Sequence, residues 1–190
     1  MDRHGPSASP TPILPEWVAD SVDFDRVYAD DASRIALAIE LAQQNVAQAT
    51  GGPFGAAVFD AGGLLISIGV NRVEALRSSL AHAEIIALVA AQRRLGRARL
   101  HDGNGRYTLA TSAQPCCQCF GAIVWAAIDD LLIGARAEDT ESLTGFDEGP
   151  LPEDWAGELE RRGVRVVRDL QRGAARRVLK AYAMLDGARY

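Results

Sequence analysis

Lysine occurs once, at Lys180, and 20 basic side chains face 25 acidic ones, for a formal net charge of −5. A nonspecific grip on nucleic acid needs a basic surface that neutralises phosphates. Nucleic acid is therefore not an expected partner, and a small polar substrate is. No apolar run is long enough to span a bilayer, so no membrane partner is expected. The opening Met1-Asp2-Arg3-His4-Gly5-Pro6 lacks the basic segment and apolar core of a secretory leader, which gives a cytoplasmic expectation. Cysteine appears three times, all within positions 116–119. That clustering excludes a disulfide framework between distant segments and favours metal ligation in a reducing compartment.

The 190 residues, 48% of them hydrophobic, suffice for one buried core. Pro6, Pro10, Pro12 and Pro15 lie among Ser, Ala and Thr, a composition that resists regular structure. Residues 1–15 read as a disordered or loosely docked arm, and residues 16–190 as a single domain. From Ser33, apolar Ile35, Ala38, Ile39, Ala42 and Val46 recur at helical spacing until Thr50-Gly51-Gly52-Pro53. Residues 54–59 and 64–70 read as a hairpin through Asp60-Ala61-Gly62-Gly63. Further helices are expected over 82–95, 116–127 and 174–185, and further strands over 107–111, 131–135 and 164–167. This alternation predicts an α/β sandwich with a mixed sheet.

The chemistry concentrates in His82-Ala83-Glu84 and Pro115-Cys116-Cys117-Gln118-Cys119, the two halves lying 34 positions apart (82 to 116). Zinc favours four nitrogen and sulfur ligands, and a catalytic zinc leaves one position for water. His82, Cys116 and Cys119 supply three. Cys116 and Cys119 can face one ion when they open a helix, whose positive end also favours thiolates. Cys117 does not fit that turn and reads as a small buried apolar residue. Zinc lowers the pKa of its water toward neutrality. Glu84 is then placed to accept the water proton, pass it to a ring nitrogen and protonate a departing amine. A structural site would use four protein ligands, yet His4 and His101 fall in the arm and in a glycine-rich loop. A redox cysteine pair would leave Glu84 without a task. The pattern His-x-Glu then Pro-Cys-x-x-Cys is the signature of zinc nucleobase deaminases.

The sequence resembles the cytidine deaminase-like superfamily over most of residues 33–150, and within it the guanine deaminase and nucleobase deaminase branch. The segments that carry the resemblance are Gly51-Gly52-Pro53-Phe54-Gly55-Ala56-Ala57-Val58, Gly69-Val70-Asn71, Ala81-His82-Ala83-Glu84, Pro115-Cys116 with Cys119, and Gly121-Ala122-Ile123-Val124-Trp125-Ala126. The resemblance implies a three-layer α/β/α sandwich around a mixed five-stranded sheet, one Zn2+ per subunit and a homodimer. It also implies Asn71 as a hydrogen-bonding contact to the base and Trp125 as an aromatic beside it. From Gly145-Phe146-Asp147-Glu148 it implies Glu148 as a second carboxylate on the purine, matched to the N–H donors of guanine. Tyr190 resembles the terminal tyrosine that closes over a substrate site. Phe54, Ala56 and Val58 read as core rather than pocket.

The activity implied is zinc-dependent hydrolytic removal of an exocyclic amino group, guanine becoming xanthine with release of ammonia. Leu80, Gln114 and Cys117-Gln118 depart from the residues usual in the family. Because Leu80 and Gln114 flank the chemistry, a pocket reshaped for another ring stays open: cytosine or cytidine, guanosine, a pterin or a triazine. Adenosine in tRNA ranks last, because the arginines of 93–99 and 161–177 read as solvated helix faces. A silent zinc-binding interaction protein is the reading outside enzymes, and the presence of Glu84 speaks against it.

Overall fold

The structure, a computed structural model, describes residues 13–185 apart from 102 and 104. A five-stranded sheet runs in the order β2-β1-β3-β4-β5. Its strands follow α1 (Trp17–Ser21) and α2 (Asp31–Ala47) and are β1 (Gly55–Asp60), β2 (Leu65–Val70), β3 (Tyr107–Ala113), β4 (Asp130–Ala135) and β5 (Arg165–Val167). Between β2 and β3 lie α3 (Val73–Leu76) and α4 (Ala83–Leu95), and between β3 and β4 lies α5 (Cys117–Ala126). α6 (Ala137–Thr144) and α7 (Trp155–Glu160) precede β5, and α8 (Arg172–Met184) follows it. β1 is antiparallel to β2 and β3, while β3, β4 and β5 are parallel. The sandwich with a mixed sheet expected from the alternation is the one observed.

Strand alternation divides the core into two layers. Ala57 and Phe59 of β1 and Leu132 of β4 pack under α2 and α8. Ala56 and Val58 of β1, with Leu131 and Ile133 of β4, pack under α4, α5 and α7. β3 is buried throughout, as a strand covered on both faces should be.

Two glycines set how closely the helices approach the sheet. A Cβ on Gly55 would lie 2.4 Å from the carbonyl oxygen of Ala38 in α2, and one on Gly69 would lie 2.0 Å from that of Ala83 in α4. The second contact fixes the start of α4, one residue after His82. Helix and strand backbones touch there without side chains between them.

The expected boundaries shift by a few residues for identifiable reasons. α2 starts at Asp31 rather than Ser33, because Asp30 is the cap: its Oδ1 accepts from the Ser33 backbone N–H at 2.7 Å. The other expected helices and strands lie within about two residues of their places. The expectation did not include α1, α3, α6 and α7, each of eight residues or fewer, too short to display a helical period. Residues 1–12 of the expected arm, and with them His4, lie outside the described residues. Leu14 packs against the core and Pro15 is buried, so the last part of that arm is docked.

Gly69→Ala is expected to lower unfolding stability by about 1–3 kcal/mol through overpacking against α4, read as a shifted urea midpoint. A midpoint equal to wild type contradicts the close approach.

Candidate metal centre and pocket

Two helix N-termini converge at one end of the sheet. His82 is the N-cap residue of α4 and Cys116 that of α5, each with extended backbone. β3 delivers the chain to the second site: Gln114 ties its backbone N–H to the Ala135 carbonyl at 2.9 Å, and Pro115 leads into Cys116. The partial positive charge of both helix ends favours anionic sulfur there.

His82, Cys116 and Cys119 come together, with one ligand atom from each all within 4.8 Å of one another. His82 Nδ1 stands 3.5 Å from Cys116 Sγ and 3.6 Å from Cys119 Sγ. A tetrahedral zinc, about 2.3 Å from sulfur and about 2.0 Å from nitrogen, requires such N···S separations to be about 3.5 Å. The donors therefore fit zinc in spacing as well as in kind, and three protein ligands leave a fourth position open. In the protein alone, hydrogen bonding from Cys119 draws the Cys116 thiol down to about 4 against the effect of burial, with His82 helping. That hydrogen bond and burial push Cys119 upward. Within the pair, negative charge is thus favoured on Cys116 and the proton on Cys119. Burial disfavours the His82 cation, but the hydrogen bond to Cys116 and the charges of Glu84 and Cys116 outweigh it and raise its pKa.

Glu84, on the first turn of α4, is 6% exposed. Burial, then the Cys116 charge, raises its carboxyl, opposed by His82 and by the Thr111 hydroxyl 3.0 Å away. Cys117 stands apart from the cluster, as its spacing requires. It is half-buried rather than buried: its N–H donates to the Glu148 carbonyl at 3.0 Å, and a Cβ added to Gly149 would come within 2.5 Å of its sulfur.

A pocket opens on the cluster, lined by Asn71, His82, Glu84, Gln114, Cys116 and Glu148, with Phe54 and Phe146 as its aromatic wall. Asn71 follows β2 and is held by its backbone: its N–H donates to the Phe54 carbonyl at 3.0 Å, and its carbonyl accepts from Asn45 Nδ2 at 2.9 Å. Its Oδ1 accepts from the Val73 N–H. Glu148 is carried by the segment after α6, which ends at Gly145 with φ 74°. Phe146 anchors that segment between Phe54, 5.4 Å away, and Tyr182 of α8, 6.0 Å away between ring centroids. Burial first, then the charges of Cys116 and Glu84, push the Glu148 carboxyl up to about 8. Among the described residues, Asn71 Nδ2, the Gln114 side-chain amide and the Glu148 carboxylate have no hydrogen-bond partner in the protein. These three border the pocket, and their polar atoms reach its opening, since the one fully buried unpaired side-chain atom among the described residues is Arg72 Nε.

Several expectations need correction. Trp125 is not beside this pocket. It lies about 13 Å along α5 from Cys116 at the helical rise, is 75% exposed, and lines a separate cavity with Arg99, His101 and Arg106. Phe54 lines the pocket instead of belonging only to the core, because the chain turns at Gly52-Pro53 before β1 begins. Leu80 does not reshape the pocket: it is 61% exposed and borders an outer apolar groove with Leu76, Ile85 and Val89. Phe146, a member of the Gly145-Phe146-Asp147-Glu148 motif with no site role expected, is a wall of the site. Its aromatic partners Phe54 and Tyr182 are far from it in sequence, so no local pattern announces that role. Tyr190 lies outside the described residues.

The fold and site define a zinc-binding hydrolytic deaminase of a nucleobase, and the comparisons agree. The chain belongs to the family whose model is described as the cytidine and deoxycytidylate deaminase zinc-binding region, matched over residues 29–135. It is 37% identical over 111 residues to guanine deaminase of Bacillus subtilis, covering 58% of this chain and 67% of that protein. The solved guanine deaminase from Nitrosomonas europaea is 44% identical, with a TM-score of 0.87 over 95% of this chain and all of that one. NE0047, solved with 2,6-diaminopurine, is 45% identical, with a TM-score of 0.86 over 93% of this chain and 94% of that one.

As ligation predicts, purified protein is expected to carry one zinc per chain by elemental analysis. Cys116→Ala and Cys119→Ala are expected to lose it, whereas Cys117→Ala keeps it. Zinc loss in Cys117→Ala, or zinc retained in Cys119→Ala, contradicts the assignment.

Proposed function

We propose that this protein is a guanine deaminase that hydrolyses the exocyclic C–N bond of guanine to give xanthine and ammonia. The observation that carries this reading is the pairing of two features in one buried pocket. A three-ligand metal cluster with a carboxylate stands on one side, and three polar groups with no partner among the described residues, Asn71 Nδ2, the Gln114 amide and the Glu148 carboxyl, stand around it. Guanine is flat, which suits the Phe54 and Phe146 wall, and it offers N–H donors for Glu148 and both donor and acceptor edges for Asn71. The relatives named guanine deaminase support the purine, as do complexes of NE0047 variants with an altered asparagine or glutamate bound to 8-azaguanine.

His82, Cys116 and Cys119 would hold zinc, which when bound supplies a water molecule acidified toward neutrality. Every further step falls to the chain's own residues. Glu84 takes one proton from that water as its oxygen bonds to the amino-bearing carbon, and delivers it to the adjacent ring nitrogen. The second water proton passes by the same carboxylate to the amino group. The C–N bond then breaks, ammonia leaves, and the carbonyl of xanthine forms. The raised pKa of Glu84 suits a group that must gain as well as lose a proton. Glu148 and Asn71 hold the ring in register, and Tyr190 is assigned to closing over it.

The protein is further proposed to act as a cytoplasmic homodimer, with residues 16–190 as one domain. Leu80, Val89 and Trp125 leave apolar surface exposed at or beside α4 and α5, where a second copy would cover it. No helix among the described residues is long and apolar enough to cross a membrane. A folded-RNA substrate is disfavoured, because Arg161 and Arg162 are bonded to Glu158, Arg165 to Asp130 and Asp31, and Arg172 and Arg176 to Asp139. These arginines are engaged by carboxylates of the chain itself.

Guanine is expected to yield stoichiometric ammonia and xanthine. Glu84→Gln should lower kcat about 100-fold to 10,000-fold with zinc retained, and Glu148→Gln should abolish most guanine turnover, also with zinc retained. Full turnover in either variant removes that residue from its role. Absence of ammonia from guanine overturns the substrate. Sedimentation should report a dimer for wild type and a monomer for Leu80→Glu/Val89→Glu; a monomeric wild type contradicts the homodimer.

A further inference from the structure

Thr111 is the polar member of an apolar layer. On β3 it stands on the same face as Leu109, paired with Ala56 of β1 on one side and Ile133 of β4 on the other. Leu109, Ala56 and Ile133 all belong to the core under α4 and α5. At 1% exposure a hydroxyl in such a layer costs free energy unless it is bonded. A valine would fill the same shape at no such cost. The hydroxyl has two partners: Oγ1 lies 3.0 Å from Glu84 Oε1 and 3.0 Å from the Ala113 carbonyl oxygen.

We propose that Thr111 is a positioning residue for the deamination, its hydroxyl aiming the Glu84 carboxylate at the metal cluster and the pocket. This rests on Glu84 being the proton carrier. Glu84 must accept a proton at one stage and give it up at the next, so whatever orients it must bond both forms. A hydroxyl does so. It donates to the carboxylate, and it can accept from the carboxylic acid while turning its single proton to Ala113. A lysine or arginine in its place would favour the ionised form alone and oppose proton uptake. The bond reaches Glu84 from β3, a strand buried along its whole length. Helix α4 fixes the base of the side chain and the sheet fixes its tip, which confines the carboxylate more tightly than either element alone.

The test uses the zinc-loaded protein as wild type, Thr111→Val and Thr111→Ser, with guanine and 2,6-diaminopurine as substrates. Thr111→Val is expected to lower kcat about tenfold or more, as loss of orientation does, with KM, zinc content and urea midpoint near wild type. Thr111→Ser, which keeps the hydroxyl, is expected to recover most of kcat. A packing role predicts the reverse: Val tolerated, and Ser impaired through its missing methyl. Crystal structures of the same three proteins give a readout apart from turnover. The Glu84 carboxylate is expected to keep its place in wild type and Thr111→Ser and to leave it in Thr111→Val. Wild-type kcat in Thr111→Val, failure of Ser to restore activity, kcat falling only in step with zinc, or an unmoved carboxylate in Thr111→Val would overturn the proposal. If wild type turns over neither purine, the guanine reading fails, and the carboxylate's place in the three crystal structures still decides Thr111.

Discussion

The arrangement depends on seating two helix N-termini against the same end of a sheet, close enough for a histidine nitrogen and two sulfurs to share one ion. Nothing in either motif alone brings them together. The close approach at Gly69 seats the start of α4 against β2, and β3 runs directly through Gln114-Pro115 into α5. Because both helix ends carry partial positive charge, the site tolerates thiolate before a cation adds its own attraction. The protein's own charges are consistent with that order, Cys116 being drawn down and Cys119 pushed up within one hydrogen-bonded pair.

A second constraint concerns the carboxylates. Glu84 and Glu148 are both buried, both raised, and both raised in part by the Cys116 charge, with Glu84 also acting on Glu148. Placing two acids and a thiolate in one cavity is unfavourable unless a cation or proton compensates. A divalent ion at the cluster supplies compensation on one side of the pocket. On the other, the proposed guanine would meet the Glu148 carboxyl with its N–H donors.

The reach of the sequence differs between fold and site. Long periodic elements were legible: α2, α4, α5 and α8 and all five strands lie close to where apolar spacing put them. The cluster was legible too, since ligand chemistry restricts residue type and helical spacing restricts position, and both rules select Cys116 and Cys119 over Cys117. What escaped were contacts between segments distant in the chain. Phe54 and Phe146 are 92 positions apart (54 to 146), and only the fold makes them one wall. Trp125 shows the converse error, where a residue matched to a family pattern sits on a helix whose far end points away from the pocket. Leu80 and Gln114 flank the motifs alike in sequence, yet Gln114 turns into the pocket and Leu80 to the outside. Adjacency in the chain does not distinguish the two sides of a loop.

The central claim is that one pocket holds both the metal and a purine, with the amino-bearing carbon turned toward the ion. A crystal structure of the zinc-loaded protein with 8-azaguanine, phased at the zinc edge, tests it most directly. The expected result is zinc bound by His82, Cys116 and Cys119 with a fourth position free of protein, and the ring against the wall of Phe54 and Phe146 with Glu148 on its N–H edge. A fourth protein ligand on the zinc, or a ring bound away from Asn71 and Glu148, would contradict it.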